Sequence, residues 1–169
     1  MQKQDDYIVK ILKDKLYIKS NISYYKNSAK ISKPLTKADV KILYNLNIYP
    51  NKSHLDYTIP NISNKFYSSF IRGYFDGNGC ITIKKTGYSI VSICCNSCIF
   101  LQTLKEILYK QTNITNISIK IESKKNRKNN LYVLYIYRLK DQKLFGDYIY
   151  KNSKIKLTRK YNKFKLIPC

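Results

Sequence analysis

The sequence is poor in acidic residues and histidine, and it lacks tryptophan and any long apolar run. Only 10 aspartates and glutamates balance 32 lysines and arginines, which leaves a formal net charge of +22 at pH 7. Such an excess opposes compaction unless a polyanion neutralises it, so nucleic acid is the first candidate partner and an acidic membrane surface the second. The single His54 argues against histidine-based chemistry. Because no stretch of about 18 apolar residues is present, we expect no membrane-spanning helix.

Cysteine is present in an odd number and at uneven spacing, which argues against a disulfide scaffold and favours a reduced, intracellular protein. The polar start, residues 1–6, does not resemble a secretory signal. One C-x-x-C pattern ends at Cys98, but a zinc site needs four ligands and only Cys80, Cys169 or His54 are left to complete it. We therefore expect no zinc. The five cysteines are Cys80, Cys94, Cys95, Cys98 and Cys169.

The length of 169 residues and an apolar fraction of 44% predict one domain, or one domain with an arm. In the arm, apolar and β-branched residues predict strands at 7–12, 16–18 and 29–32, and Thr36 is a suitable N-cap for a helix over 37–46. Pro50 and Pro60 bracket an irregular segment. We place the boundary there, with a strand–helix arm over 1–60 and the main domain over 61–169.

Within the main domain, hydrophobic periodicity predicts an α+β fold. The expected order is a helix from Ser63 to Gly79, two strands, a helix, two strands and a final helix, followed by a basic tail. The later elements are predicted at 81–83, 88–93, 98–110, 117–122, 131–138 and 141–150. A faint internal repeat is also present, since 31–34 and 93–96 are similar and each precedes a predicted helix.

The first helix of this domain carries the most informative motif. Ser69, Gly73 and Gly77 are four residues apart and therefore share one helix face. Small residues at this spacing allow a second helix to approach closely. A glycine in the middle of a helix costs about 1 kcal/mol relative to alanine, so Gly73 requires a packing reason.

Residues 71–79 resemble the nine-residue motif of the LAGLIDADG homing endonucleases, and Gly73, Asp76, Gly77 and Gly79 match it well. The flanking segments 44–53 and 59–62 are similar to the family's approach to a second motif, and 157–161 is similar to its C-terminal basic box. The resemblance covers most of residues 30–165.

The resemblance implies an αββαββα unit whose antiparallel four-stranded saddle sheet lies on double-stranded DNA. It implies that units work in pairs, here as a homodimer through Ser69, Gly73 and Gly77. It also implies a divalent metal, Mg²⁺ or Mn²⁺, that promotes phosphodiester cleavage. The corresponding positions are Asp76, Gly77 and Asn78 for the metal, and Asp76, Asn78, Arg159 and Lys160 for catalysis.

The motif departs from the family at its second acidic position, which is Asn78. An amide binds Mg²⁺ more weakly than a carboxylate does. The sequence therefore leaves three interpretations open. They are a site-specific endonuclease, a DNA- or RNA-binding descendant that does not cleave, and a basic ribosome-associated structural protein.

Basic residues of the two predicted hairpins are the candidate DNA contacts. Lys120 and Lys124 alternate with apolar Ile119 and Ile121, so they should lie on the sheet face opposite the helices. Most such contacts are to phosphate, and few read bases. The candidates are Lys84, Lys85, Lys120, Lys124, Lys125, Arg127, Lys128 and Arg138.

Overall fold

A computed structural model describes residues 1–50, 57–122 and 130–168, and it has an α+β fold with six α-helices and two antiparallel sheets in those ranges. The helices are α1 (Asp6–Lys15), α2 (Lys37–Asn45), α3 (Tyr67–Asn78), α4 (Cys98–Thr112), α5 (Leu139–Tyr150) and α6 (Thr158–Lys165). The strands are β1 (Ser23–Tyr25), β2 (Ser28–Lys30), β3 (Gly79–Ile83), β4 (Ser89–Cys95), β5 (Ile117–Glu122) and β6 (Leu131–Ile136).

The N-terminal segment contains a helix where the sequence predicted strands, so the predictions at 7–12 and 16–18 were wrong. Residues 7–12 lie in α1, where Ile8 and Val9 are buried and Lys10 pairs with Asp6 one turn earlier at 3.0 Å. A helix suits these residues because it gathers the charged side chains on one side and the apolar ones on the other. The third strand is present as β2, at Ser28–Lys30.

The predicted helix after Thr36 is confirmed as α2. Thr36 Oγ1 accepts a hydrogen bond from the Asp39 amide, and the Asp39 carboxylate accepts one from the Thr36 amide. This reciprocal capping box satisfies two amides that the first turn otherwise leaves unpaired.

The larger sheet has the strand order β3-β4-β6-β5 and is antiparallel throughout. Alternate residues of β4 are buried, as expected for a sheet with one face on the core. The helices α3, α4 and α5 pack against that face, which we call the inner face, and the rings of Phe75 and Phe145 meet edge to face at 5.2 Å. This order confirms the predicted helix–strand–strand pattern, while α6 lies in what the sequence indicated only as a basic tail.

Glycine permits close packing at two points of this core. A Cβ at Gly79 would lie 2.1 Å from the Phe75 ring, and a Cβ at Gly146 would lie 2.7 Å from the ring of Phe164. The first contact lets the end of α3 turn directly into β3, and the second lets α6 approach α5. No helix in the described ranges is both long and apolar enough to cross a membrane.

Candidate nucleic-acid interface and motif-helix tip

Helix α3 has one side in the core and one side open. Ile71 and Phe75 are buried, whereas Ser69, Gly73 and Gly77 are exposed. A Cβ built on Gly73 or on Gly77 meets no atom within 4 Å. The fold therefore brings the three predicted interface residues onto one face, which we call the glycine face. Within the described residues this face has room for another helix.

Asp76, at the end of α3, accepts a hydrogen bond from its own domain at each carboxylate oxygen. One carboxylate oxygen accepts a hydrogen bond from the Tyr150 hydroxyl at 2.5 Å, and the other accepts one from the Leu157 amide at 3.0 Å. Burial and this carboxylate raise the pKa of Tyr150, so the phenol remains a donor. Asp76 thus joins the motif helix to the end of α5 and to the segment that leads into α6.

Lys160 closes the end of the motif helix from the other side. Its ammonium donates to the carbonyls of Phe75 at 2.7 Å, Asp76 at 2.9 Å and Gly79 at 2.5 Å. The last carbonyls of a helix lack intrahelical partners and carry partial negative charge, so a lysine is well suited to them. Only 5% of Lys160 is exposed. This burial, reinforced by the charge of Arg159, lowers the pKa of Lys160 to about 8, although Asp76 acts in the opposite direction.

Arg159 is paired with a residue near the start of the chain. Its Nε donates to both carboxylate oxygens of Asp5, at 3.2 and 3.0 Å, and the Asp5 side chain is only 3% exposed. Beside this pair, the Tyr7 hydroxyl accepts from the Thr158 amide at 2.7 Å. The first turn of α6 is therefore held by the N-terminal segment.

Asn78 lies exposed at the last position of α3. It borders an open cleft of about 220 Å³ whose other walls are Tyr57, Tyr74, Cys94, Cys95, Asn96 and Leu131. The cleft is lined by phenols, thiols and amides. The Tyr74 hydroxyl donates to the Cys94 carbonyl at 3.2 Å. Burial raises the pKa of Tyr74, so this phenol stays protonated and adds no negative charge to the cleft.

The side chains at the motif-helix tip do not by themselves suit a divalent cation. Mg²⁺ prefers several carboxylate oxygens, yet Asp76 is the only carboxylate of the described residues at this tip, each of its oxygens already accepts one hydrogen bond, and the neighbouring donor, Asn78, is an uncharged amide. The described part of the chain brings together no group of three or more histidine, cysteine, aspartate or glutamate side chains that could hold a metal ion. We therefore assign no chemical step to a metal held by this chain alone.

The outer face of the larger sheet, turned away from the helices, mixes polar and apolar side chains. Strand register places these outward residues on it: Cys80, Thr82, Ile90, Ser92, Cys94, Ser118, Lys120, Glu122, Leu131, Val133 and Tyr135. Lys120 Nζ lies 5.9 Å from the ring centre of Tyr135 and 5.6 Å from that of Tyr137, and the two rings stack at 5.4 Å. Tyr135 donates to Glu122 at 2.7 Å, which raises the pKa of the phenol to about 12.

The remaining predicted DNA contacts lie near the ends of the strands. Lys84 and Lys85 are exposed in the β3–β4 turn, and Lys84 Nζ lies 5.4 Å from the ring centre of Tyr88. Arg138 is exposed at the N-cap of α5. Lys124, Lys125, Arg127 and Lys128 fall outside the described residues. So do His54 and Cys169, the remaining ligands considered for zinc.

Residues 65–150 match the LAGLIDADG-like domain family, and this match spans just over half of the chain. The chain belongs to that family. Members of the LAGLIDADG family are typically nucleases that act on DNA, and they generally use divalent metals. No curated protein matches the chain. The matched residues begin in the turn before α3 and end with Tyr150, so the LAGLIDADG-like region contains the motif helix and the whole larger sheet.

Sequence reasoning missed Asp5 and Tyr7, which hold α6, and it missed the contact between Tyr150 and Asp76. All three contacts join residues at least 74 positions apart. Hydrophobic periodicity carries no information about such pairs. The one available signal was the position of the acidic residues. Asp5 and Asp6 are two of only 10 aspartates and glutamates in a chain whose formal net charge is +22, so each of them is a scarce partner for a basic side chain.

Proposed function

We propose that this LAGLIDADG-like protein binds double-stranded DNA through the outer face of its larger sheet. The observation that carries the proposal is the arrangement of Lys120 against the stacked rings of Tyr135 and Tyr137 on the outer face. Lysine supplies a phosphate contact, and an aromatic ring supports a flat sugar or base surface. The net charge of +22 supports the same partner.

In this proposal Asp76, Arg159 and Lys160 are positioning residues. Their polar atoms are bonded to the protein itself, to Tyr150 and Leu157, to Asp5, and to the carbonyls at the end of α3. They fix the tip of α3 and leave Asn78 as its exposed polar side chain. The tip is thus a rigid feature at the edge of the DNA-binding surface.

The test of DNA binding is a titration of the protein against a duplex that it has selected from a random library. We expect affinity to fall by orders of magnitude between about 50 and 200 mM salt, because bound phosphates release counterions. Lys120→Ala should weaken binding about tenfold, whereas Lys110→Ala, an exposed lysine on α4, should change it less than threefold. Affinity that does not respond to salt would refute the proposal.

A second candidate function is cleavage of that DNA with Mg²⁺ or Mn²⁺ as cofactor. Family membership favours it, whereas Asn78 at the tip of the motif helix weakens it, because an amide binds Mg²⁺ less tightly than a carboxylate does. We expect the wild type to retain a selected duplex with little nicking and Asn78→Asp to nick it in Mg²⁺. Asn96→Asp, which places a carboxylate on the same cleft, is the matched control. Rapid cleavage by the wild type would instead establish the nuclease.

We also propose that the glycine face seats the same face of a second copy, which gives a homodimer. Gly73→Leu should then shift the protein to a monomer in light scattering at micromolar concentration, because the branched side chain fills the space that the partner helix needs. Gln111→Leu adds the same side chain to an exposed site on α4 and should leave the mass unchanged. A wild type that is monomeric throughout would rule out this contact.

A further inference from the structure

The N-terminal segment repeats the element order of the second half of the LAGLIDADG-like domain. Helix α1, strands β1 and β2 and helix α2 follow one another as α4, β5, β6 and α5 do. In both sets the two strands form an antiparallel hairpin. The sequence indicated an internal repeat in another register, which compared the start of α2 with that of α4. The observed order instead compares α1 with α4.

Local details of the two sets agree. Helix α1 is followed by Tyr17 at φ 52° and then by buried Ile18, and helix α4 is followed by Asn113 at φ 58° and then by buried Ile114. A left-handed residue just past the last turn is a common way to end a helix, and Asn47 follows α2 in the same conformation. The tripeptide Asn-Ile-Ser then leads into the first strand of each set, at 21–23 before β1 and at 116–118 in β5.

In each hairpin the second strand also pairs, on its free edge, with a segment that precedes the first helix of the set. Strand β6 pairs with the end of β4, and α4 begins three residues after that strand ends. Strand β2 pairs with residues 1–3 through the Gln2–Ser28 bridge and through the Ala29 amide, which donates to the Met1 carbonyl at 2.9 Å. Helix α1 follows shortly afterwards. Residues 1–3 thus take the place beside β2 that the end of β4 takes beside β6.

Finally, the two sets exchange contacts. The segment after α2 meets the start of α4, where Ser97 Oγ donates to the Tyr57 carbonyl at 2.7 Å. The segment after α5 meets the start of α1, where the Tyr7 hydroxyl donates to the Lys156 carbonyl at 3.0 Å. A reciprocal exchange of this kind is what a two-fold relation between the sets produces.

This equivalence identifies the outer face of the small hairpin. Tyr24 lies on the inner side, since its hydroxyl donates to Asp6 on α1 at 3.0 Å and it pairs with fully buried Ala29. Tyr25 therefore lies on the other side with Ser28, and Ser23 lies there with Lys30. In the matched register Ser23 corresponds to Ser118 and Tyr25 to Lys120, and both of these are on the outer face of the larger sheet.

The chemistry of this hairpin face resembles that of the larger sheet. Tyr25 is 63% exposed, and Lys26 Nζ lies 5.4 Å from its ring centre, much as Lys120 lies over Tyr135. Residues 15–38 contain six lysines and no acidic residue. An exposed lysine beside a tyrosine, in a segment without acidic residues, is suited to binding the phosphates of a nucleic acid.

We infer that the β1–β2 hairpin is a second duplex-DNA contact, in which Tyr25, Lys26 and Lys30 bind backbone phosphates and sugars outside the tract bound by the larger sheet. The inference rests on the proposed function, because it extends the same DNA site along the duplex. It assigns a role in binding to the N-terminal segment, which also holds α6.

The test is hydroxyl-radical footprinting of a duplex selected by the wild type. The hairpin variant Tyr25→Ala/Lys26→Ala/Lys30→Ala should bind at least tenfold more weakly and lose one block of protection that Lys120→Ala retains. Its slope of log K against log salt should fall by about 2, one for each lost phosphate contact. Lys37→Ala/Lys41→Ala on α2 removes the same charge from exposed positions and should keep the complete footprint.

A complete footprint and unchanged salt slope for the hairpin variant, with DNA still bound, would overturn this inference and leave the proposed function intact. Failure of the wild type to bind any duplex would overturn both. All of the substituted side chains are exposed, so circular dichroism of each variant should match that of the wild type.

Discussion

At the tip of helix α3, the side that faces the domain is hydrogen-bonded and tightly packed, whereas the opposite side is open. On the inner side Asp76 and Lys160 make four hydrogen bonds to the rest of the domain and one to each other, and Gly79 has no room for even a methyl group. On the outer side a methyl group added to Gly73 or Gly77 would have no neighbour within 4 Å, and Asn78 is exposed. A single short motif therefore contains two sets of residues with separate tasks.

This difference shows that glycine is used for two unrelated reasons within seven residues. Gly79 is required by the fold of the chain itself, because a side chain there would overlap Phe75. Gly73 and Gly77 are not required by anything within the described residues. Their presence is instead consistent with a partner helix, and substitution separates the two cases.

The largest effect is expected for Lys160→Met. The change leaves the carbonyls of Phe75, Asp76 and Gly79 without their donor, and the loss should lower the free energy of unfolding by about 3 kcal/mol. Chemical denaturation measures it. Lys165→Met, at an exposed site on the same helix, should cost less than about 0.5 kcal/mol. Equal stabilities of the two variants would contradict the described role of Lys160.

Gly79→Ala should follow, with a loss of about 2 kcal/mol. Its φ of −93° suits alanine, so the penalty comes from the overlap of the new methyl group with the ring and the backbone carbonyl oxygen of Phe75. The thermal midpoint should fall by several degrees. Retention of the wild-type midpoint would mean that the end of α3 is not packed as described.

The pH dependence of stability provides the next test. The pKa of Lys160 is about 8 in the folded protein and 10.5 in the unfolded chain, so the unfolded chain binds more protons between these values. Stability from this group therefore rises with pH above about 8, by about 2 kcal/mol at pH 9.5. The difference in unfolding free energy between wild type and Lys160→Met should widen by this amount from pH 7 to pH 9.5. A constant difference would show that burial does not shift this lysine.

The smallest effect, and one of opposite sign, is expected for Gly77→Ala. Because the site is helical and open, alanine should raise the stability of the isolated chain by about 0.5–1 kcal/mol. The gain should be visible at low protein concentration, where any helix partner has dissociated. A loss there would indicate that the glycine face is covered by the chain itself.

Much of the main domain could be predicted from the sequence, because its strands alternate and its helices carry clear apolar stripes. The α4 core residues Phe100, Leu101, Leu104 and Leu108 were recognised by spacing and are buried. The N-terminal segment was less predictable. Residues 7–12 are β-branched enough to suggest a strand, and their helical burial depends on tertiary contacts with β2 and with the segment that leads into α6.

For the candidate site, the sequence predicted the shared face of Ser69, Gly73 and Gly77 and the outward position of Lys120. It predicted the functional importance of Arg159 and Lys160 only by resemblance, and the positions of their charged atoms depend on tertiary contacts. Lys160 reaches carbonyls 81 to 85 residues earlier in the chain. Local patterns do not encode such distances.

The dependence of the α3 tip on Leu157 and Lys160 has a consequence for biosynthesis. A ribosome completes α3 about 80 residues before it adds the partners that secure its end. Until residue 160 has left the exit tunnel, Asp76 and the final carbonyls of the helix must remain hydrated. The nascent chain therefore acquires a finished tip only after residues 157–160 have emerged from the ribosome.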